Sequence, residues 1–181
     1  MVYVFLASGF EEIEALATVD ILRRAGLETV TVAVGTPDRA VEGAHGIIVT
    51  ADIKEDDAEG VSAQALVLPG GMPGTRNLEK SAVVGRCIEQ AVKTGAYLCA
   101  ICAAPSILGH KGLLNGRQAV CFPGFEQELE GAVLRRDSVV ADGEIITAKG
   151  AGAAVEFALA IVAELVSPEE ARSLRESLQC R

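Results

Sequence analysis

Histidine is nearly absent from this chain of 181 residues: His45 and His110 are its only two, which leaves few histidine-dependent mechanisms open. Long apolar runs are missing too. The best stretch, Ala153 to Val166, is interrupted by Glu156 and Glu164 and falls short of the ~18 uncharged apolar residues of a spanning helix. Basic charge is in deficit, with 16 Lys and Arg against 25 Asp and Glu and a formal charge of −9. Such a field repels phosphate backbones and anionic lipids, so neither nucleic acid nor a membrane is an expected partner. The five cysteines are odd in number, and the single Cys-x-x-Cys spacing, Cys99 to Cys102, has no matching second pair. A disulfide scaffold and a four-ligand zinc site are both disfavoured, and no metal is expected. Ahead of the short apolar run at the N-terminus there is no basic residue, and Glu11, Glu12 and Glu14 follow it, unlike a secretory signal. The expectation is a cytoplasmic protein with reduced thiols.

What is present is a globular pattern. Half of the residues are hydrophobic, and the length suits one domain over residues 1–181. Short apolar runs alternate with helical patterns, as in repeated strand-helix-strand units around a parallel sheet. Strands are expected at Val2 to Ala7, Thr29 to Val34, Ile47 to Thr50, Ala65 to Leu68 and Tyr97 to Ile101. Further strands are expected near Gln118 to Cys121, Val139 to Ala141 and Ile145 to Ala148. Helices are expected over Phe10 to Ala25, Ser81 to Lys93 and Ala153 to Val166, after Pro105, and from Pro168 onward. The acidic stretch Asp52 to Gly60 reads as a solvated connection or short helix.

In an open parallel sheet, ligands collect beyond the C-terminal strand ends. Three loops there carry chemistry: Gly9 to Glu14, Pro69-Gly70-Gly71, and Cys102-Ala103-Ala104-Pro105. Ala100 to Ala104 places Cys102 on a strand-to-helix turn among small residues, the setting of a nucleophile elbow, where the helix N-terminus favours thiolate. The alternative is a small buried apolar residue. Glu14 serves either the helix dipole or a buried site, and the stripe through Glu11 is equally free of further charge, so periodicity does not choose. The Gly70-Gly71 loop is either an ordinary turn or a backbone donor site. His45 reads as a surface residue, and His110 lies eight residues beyond Cys102.

Taken together, these loops resemble the ThiJ/PfpI superfamily over nearly the whole length, in the branch of the parkinsonism-associated deglycase and its bacterial relatives. The segments that carry the likeness are Gly9 to Glu14 with Asp20 to Gly26, Val67 to Gly71, Ala100 to Pro105, and Glu156 to Val162. The resemblance implies a flavodoxin-like α/β sandwich, a mostly parallel sheet with helices on both faces, and a homodimer with its site near the subunit contact. It implies that Cys102 is the reactive cysteine and that Glu14 is a carboxylic acid kept protonated by burial. It also implies that the Gly71 and Ala103 N–H groups complete the pocket, with Gly70 supporting the approach.

The implied activity is cofactor-independent conversion of methylglyoxal and related α-oxoaldehydes, or deglycation of their early adducts. The alternative is a redox-responsive stress protein or chaperone working by oxidation of Cys102. Four positions depart from the family pattern. Phe122 occupies the place where some relatives carry a histidine before Pro123. Ala103 replaces the histidine that follows the cysteine in the peptidase branch, so peptidase activity is not expected. Gly150-Ala151-Gly152 replaces the usual Gly-Pro-Gly, and His45 stands where several relatives carry arginine near the dimer contact.

Overall fold

The computed structural model describes residues 1–60 and 62–180. Its strands are β1 (Val2–Ala7), β2 (Thr29–Val34), β3 (Ala40–Glu42), β4 (Ile48–Thr50), β5 (Ile53–Lys54), β6 (Ala65–Leu68), β7 (Tyr97–Ile101), β8 (Gln118–Ala119), β9 (Val133–Leu134), β10 (Val139–Asp142) and β11 (Ile145–Ala148). The helices are α1 (Glu12–Arg24), α2 (Glu55–Ala58), α3 (Gly74–Lys80), α4 (Ala82–Thr94), α5 (Pro105–His110), α6 (Ala154–Leu165) and α7 (Pro168–Ser177). A seven-stranded sheet runs in the order β10-β11-β7-β6-β1-β2-β5. Every pairing in it is parallel except the antiparallel edge pair β10–β11.

The apolar alternation of β1 explains the layers. Val2, Val4 and Leu6 face one way and join Leu22 of α1 with Phe157 and Ile161 of α6. Tyr3, Phe5 and Ala7 face the other way and join Ile88 of α4 and Ile107 of α5. A strand that feeds two cores is apolar throughout, and all six β1 residues are buried. Helix ends follow local chemistry. Ser81 accepts a hydrogen bond from the Val84 N–H at 3.1 Å to start α4, and Gly95 closes it in the left-handed region at φ 71°. Ser167 caps α7 in the same way through the Glu170 N–H, with Pro168 at the first helical position.

Four segments depart from the sequence expectation. The expected strand at Ile48–Thr50 pairs with one the sequence did not announce, Ala40–Glu42, in an antiparallel hairpin apart from the main sheet. The acidic connection does hold a short helix, α2, but its first residues form β5, the edge of the main sheet. Gly74–Lys80 is a helix of its own, ahead of α4. The strand expected over Gln118 to Cys121 shrinks to Gln118–Ala119, paired with β9 outside the main sheet. Among the described residues no helix is long and apolar enough to cross a membrane.

From β1 the chain moves outward through β2 to β5, then returns to β6 on the other side of β1 and proceeds to β7 and β11. The strand order therefore reverses between β1 and β6. The loops after β1, β6 and β7 open at that reversal, where such sheets bind ligands.

Candidate active site

Cys102 follows the last residue of β7 with φ 65°, a left-handed conformation that non-glycine residues rarely adopt and that costs about 1–3 kcal/mol. Surrounding hydrogen bonds hold it there. Its N–H donates to the Ala148 carbonyl at 2.9 Å, and its own carbonyl accepts from the Phe122 N–H at 2.8 Å. Pro105 then opens α5. The elbow thus presents a half-buried sulfur at the carboxyl end of the sheet.

Gly70 decides which carboxylate meets that sulfur. Its N–H donates to Glu14 Oε2 at 2.8 Å, and Glu14 is 1% exposed. The other oxygen, Oε1, is buried without a hydrogen-bond partner, on the side of the carboxyl that, like the Cys102 sulfur, faces Gly150. A side chain on Gly70 could not coexist with this arrangement: its Cβ would lie 2.5 Å from Cys102 Cβ and 2.7 Å from Glu14 Oε2. Gly150 forms the opposite wall, its Cβ position 3.7 Å from both Cys102 Sγ and Glu14 Oε1, with the Phe122 ring 3.2 Å away. All five residues singled out from the sequence therefore gather at one point: Cys102, Glu14, Gly70, Gly71 and Ala103.

Burial raises the Glu14 pKa to about 7, against the lowering effect of the neighbouring Cys102 and of the bond from the Gly70 N–H. Burial and then the charge of Glu14 push the Cys102 thiol up to about 12, while N–H bonds from Gly71 and Ala103 pull the other way. The expectation of a freestanding acidic thiol is thereby corrected. Its supposed source, the helix N-terminus, belongs to the six-residue α5, and desolvation beside an acid outweighs it. The two groups titrate as a pair, and near neutral pH the carboxyl is present both with and without its proton, so it can take a proton from the sulfur or give one. The sealed Cys99 is also pushed up by burial, and Cys121 rises to about 11.

A second acid escapes the sequence reading. Glu12 is 5% exposed; its Oε1 accepts from the His45 N–H at 2.7 Å and its Oε2 meets His45 Nδ1 at 2.9 Å. Burial works against this carboxylate, yet the His45 bonds outweigh it and hold the pKa below the ordinary value. The His45 ring itself is exposed, and its pKa is raised by Glu12 and Glu11. Ligand atoms of Glu11, Glu12 and His45 lie within 4.8 Å of one another, but those of Glu12 are already engaged in fastening the β3–β4 loop to α1. The sequence signal for this contact is an acidic pair at the start of the first helix with a lone histidine in a glycine-bearing loop.

A mostly parallel flavodoxin-like sandwich with an elbow cysteine beside a buried acid defines a class of α/β proteins. Residues 1–164 match the DJ-1/PfpI family, and the chain belongs to it. It is 34% identical over 177 residues to protein dj-1beta of Drosophila melanogaster, covering 97% of this chain and 94% of that one. It is also 34% identical over 169 residues to the glutathione-independent glyoxalase DJR-1.2 of Caenorhabditis elegans, covering 93% of this chain and 89% of that one. The solved structure of oxidized Toxoplasma gondii DJ-1 superposes with a TM-score of 0.95 at 33% identity, over 98% of this chain and 97% of that one.

Proposed function

We propose that the chain, as a single domain over residues 1–181, is a cofactor-independent glyoxalase-type enzyme acting on methylglyoxal and related α-oxoaldehydes. One observation carries this reading: the half-buried elbow thiol and the buried Glu14 carboxyl share the walls formed by Gly70 and Gly150, and burial raises the carboxyl's pKa to about 7. A base poised near neutral pH makes the thiolate at the moment of attack, so the thiol need not stand ionised beforehand.

Glu14 takes the proton from Cys102 as sulfur bonds to the aldehyde carbon, and returns it to the carbonyl oxygen to give a hemithioacetal. Glu14 then removes the hydrogen from that carbon while the ketone oxygen takes up a proton, giving an enediol, and a proton returns to the former ketone carbon as the hydroxyl on the sulfur-bearing carbon loses its own, leaving a lactoyl thioester. Water cleaves the thioester, releasing lactate and restoring the thiol. Nothing is oxidised or reduced overall. Deglycation of an early adduct draws on the same hemithioacetal, whose aldehyde is in equilibrium with the adduct. The name of the Caenorhabditis elegans relative is consistent with this chemistry.

The second reading, a redox-responsive stress protein, is favoured by the same donors, since Gly71 and Ala103 N–H groups beside a protonated carboxyl stabilise a sulfinate on Cys102. Lactate formation from methylglyoxal separates the two. Wild type should form lactate, Cys102→Ser none, and Glu14→Gln at least a hundredfold less. If all three are equally inactive while peroxide selectively modifies Cys102, the enzymatic reading fails and the redox reading stands. We further propose a homodimer, supported by Ile13, Ile47 and Ile48, exposed at 57%, 53% and 66% around the loop that Glu12 fastens. A cytoplasmic setting with reduced thiols suits this chemistry.

A further inference from the structure

One residue along the chain from the Cys102 site, at Cys121 and at Lys149, is a cavity of about 210 Å³, walled by these two with Arg135, Arg136 and Glu126 and by apolar Val120, Pro123 and Leu134. Its charge runs against that of the molecule. In a chain of net charge −9, three cations converge here on a single carboxylate. That carboxylate, Glu126, also accepts from the Gly124 N–H, at 2.7 Å to Oε2. Among the described residues the Arg136 guanidinium has no carboxylate within ion-pair reach, and the Lys149 ammonium donates to the Arg136 carbonyl. Arg135 has one long contact, 3.4 Å to Asp137. The backbone beneath these side chains is fixed: the Arg135 N–H donates to the Ala119 carbonyl at 2.9 Å and the Lys149 N–H to the Ser138 carbonyl at 3.0 Å.

Two chain segments join this cavity to the sulfur. Cys121 forms its wall, and the next residue, Phe122, donates its N–H to the Cys102 carbonyl at 2.8 Å. Lys149 forms another part, and the next residue, Gly150, lines the Cys102 pocket. The half-exposed Phe122 ring lies on the Cys102 side, 3.2 Å from the Cβ position of Gly150.

We propose that this cavity binds the phosphate monoester end of a ligand whose carbonyl end lies toward Cys102. Two planar guanidiniums and an ammonium match a doubly charged tetrahedral anion better than a lone carboxylate, because each fork can engage two oxygens. The volume is ample for a phosphoryl group with its waters. The substrate class this assigns is the phosphorylated small carbonyl compound, which rests on the glyoxalase-type reading for its chemistry but not for its binding.

Binding is therefore tested without turnover. Calorimetric titration of the full-length Cys102→Ser protein, which excludes covalent addition, should show dihydroxyacetone phosphate binding at least tenfold more tightly than dihydroxyacetone and no less tightly than inorganic phosphate. Adding Arg135→Gln and Arg136→Gln should weaken the ester at least tenfold while the circular dichroism spectrum and melting temperature stay unchanged; Lys149→Gln alone, should the double variant misfold, should weaken it severalfold. Equal affinity for ester and neutral parent, or an ester affinity that survives the substitutions, overturns the site. Inorganic phosphate binding more tightly than the ester overturns the monoester assignment. Lactate formation from methylglyoxal with no phosphate binding sinks the cavity proposal alone, whereas phosphate binding without lactate sinks the glyoxalase-type reading alone.

Discussion

Glu11 and Glu14 begin helical stripes that are alike in the sequence, and nothing in their spacing separates them. A contact 56 residues away in the chain does, for the Gly70 N–H reaches Glu14 Oε2 and not Glu11. Cys102 was more legible than its partner, because small neighbours on both sides and a proline three residues on describe an elbow locally. Its acidity was not, because desolvation by Glu14 and the surrounding core is set by the tertiary fold. The buried carboxyl has a thermodynamic consequence. Its folded pKa, about 7, exceeds the ordinary 4.5, so between these values the folded state binds more protons than the unfolded one. The resulting stability is complete below pH 4.5 and is lost as the pH rises through 7, by about 3 kcal/mol in all. Urea unfolding of wild type and Glu14→Gln should therefore give a stability difference that shifts by about this amount, in favour of the glutamine variant, between pH 4.5 and 7.5. A difference independent of pH would mean that Glu14 titrates as an ordinary carboxylate.

Elements with strong periodicity were readable, and those defined by tertiary pairing were not. β1, β2, β6, β7 and β11 are short runs buried on both faces, which an apolar stretch announces. β5 has two residues at a sheet edge, and β8 and β9 have two each in a pair of their own, too short for any period to register. α3 begins at Gly74 directly after a loop of breakers, which obscures its start. Among these irregular parts, the segment after Phe122 is tied down by His110. The imidazole Nδ1 meets Glu79 of α3 at 2.5 Å and Nε2 meets Glu128 at 2.7 Å, so one ring joins α3, α5 and the 3₁₀ turn Glu126–Glu128. Those two hydrogen bonds raise the histidine pKa. The clasp is complete below the ordinary histidine value of 6.5 and is lost as pH rises through the raised one. Amide exchange at Gly124 to Leu129, corrected for the intrinsic effect of pH, should accelerate as the clasp deprotonates. In His110→Gln it should be fast at every pH; protection equal to wild type would show that backbone packing alone holds the turn.

At the scale of the molecule, the sheet buries an apolar face on either side, and the surplus of acid lies outside. Two copies carrying −9 each repel, so the proposed homodimer must draw on apolar contact. Ile13, Ile47 and Ile48 offer it, and each side chain removed from water contributes about 1.5–3 kcal/mol. Glu12 is the strut of that face: by fastening the loop of the β3–β4 hairpin to α1 through His45 it places Ile47 and Ile48 beside Ile13. Salt then acts in an unusual direction for charged partners. Screening weakens the mutual repulsion, with a Debye length falling from ~30 Å at 0.01 M to ~10 Å at 0.1 M, while leaving apolar contact intact. Sedimentation equilibrium should accordingly show a dimer that tightens severalfold between those two salt concentrations. Ile48→Glu, which adds a charge to each copy and removes the apolar contact, should weaken it at least tenfold at both. A monomer at every concentration, or an Ile48→Glu dimer as tight as wild type, would place the subunit contact elsewhere or nowhere.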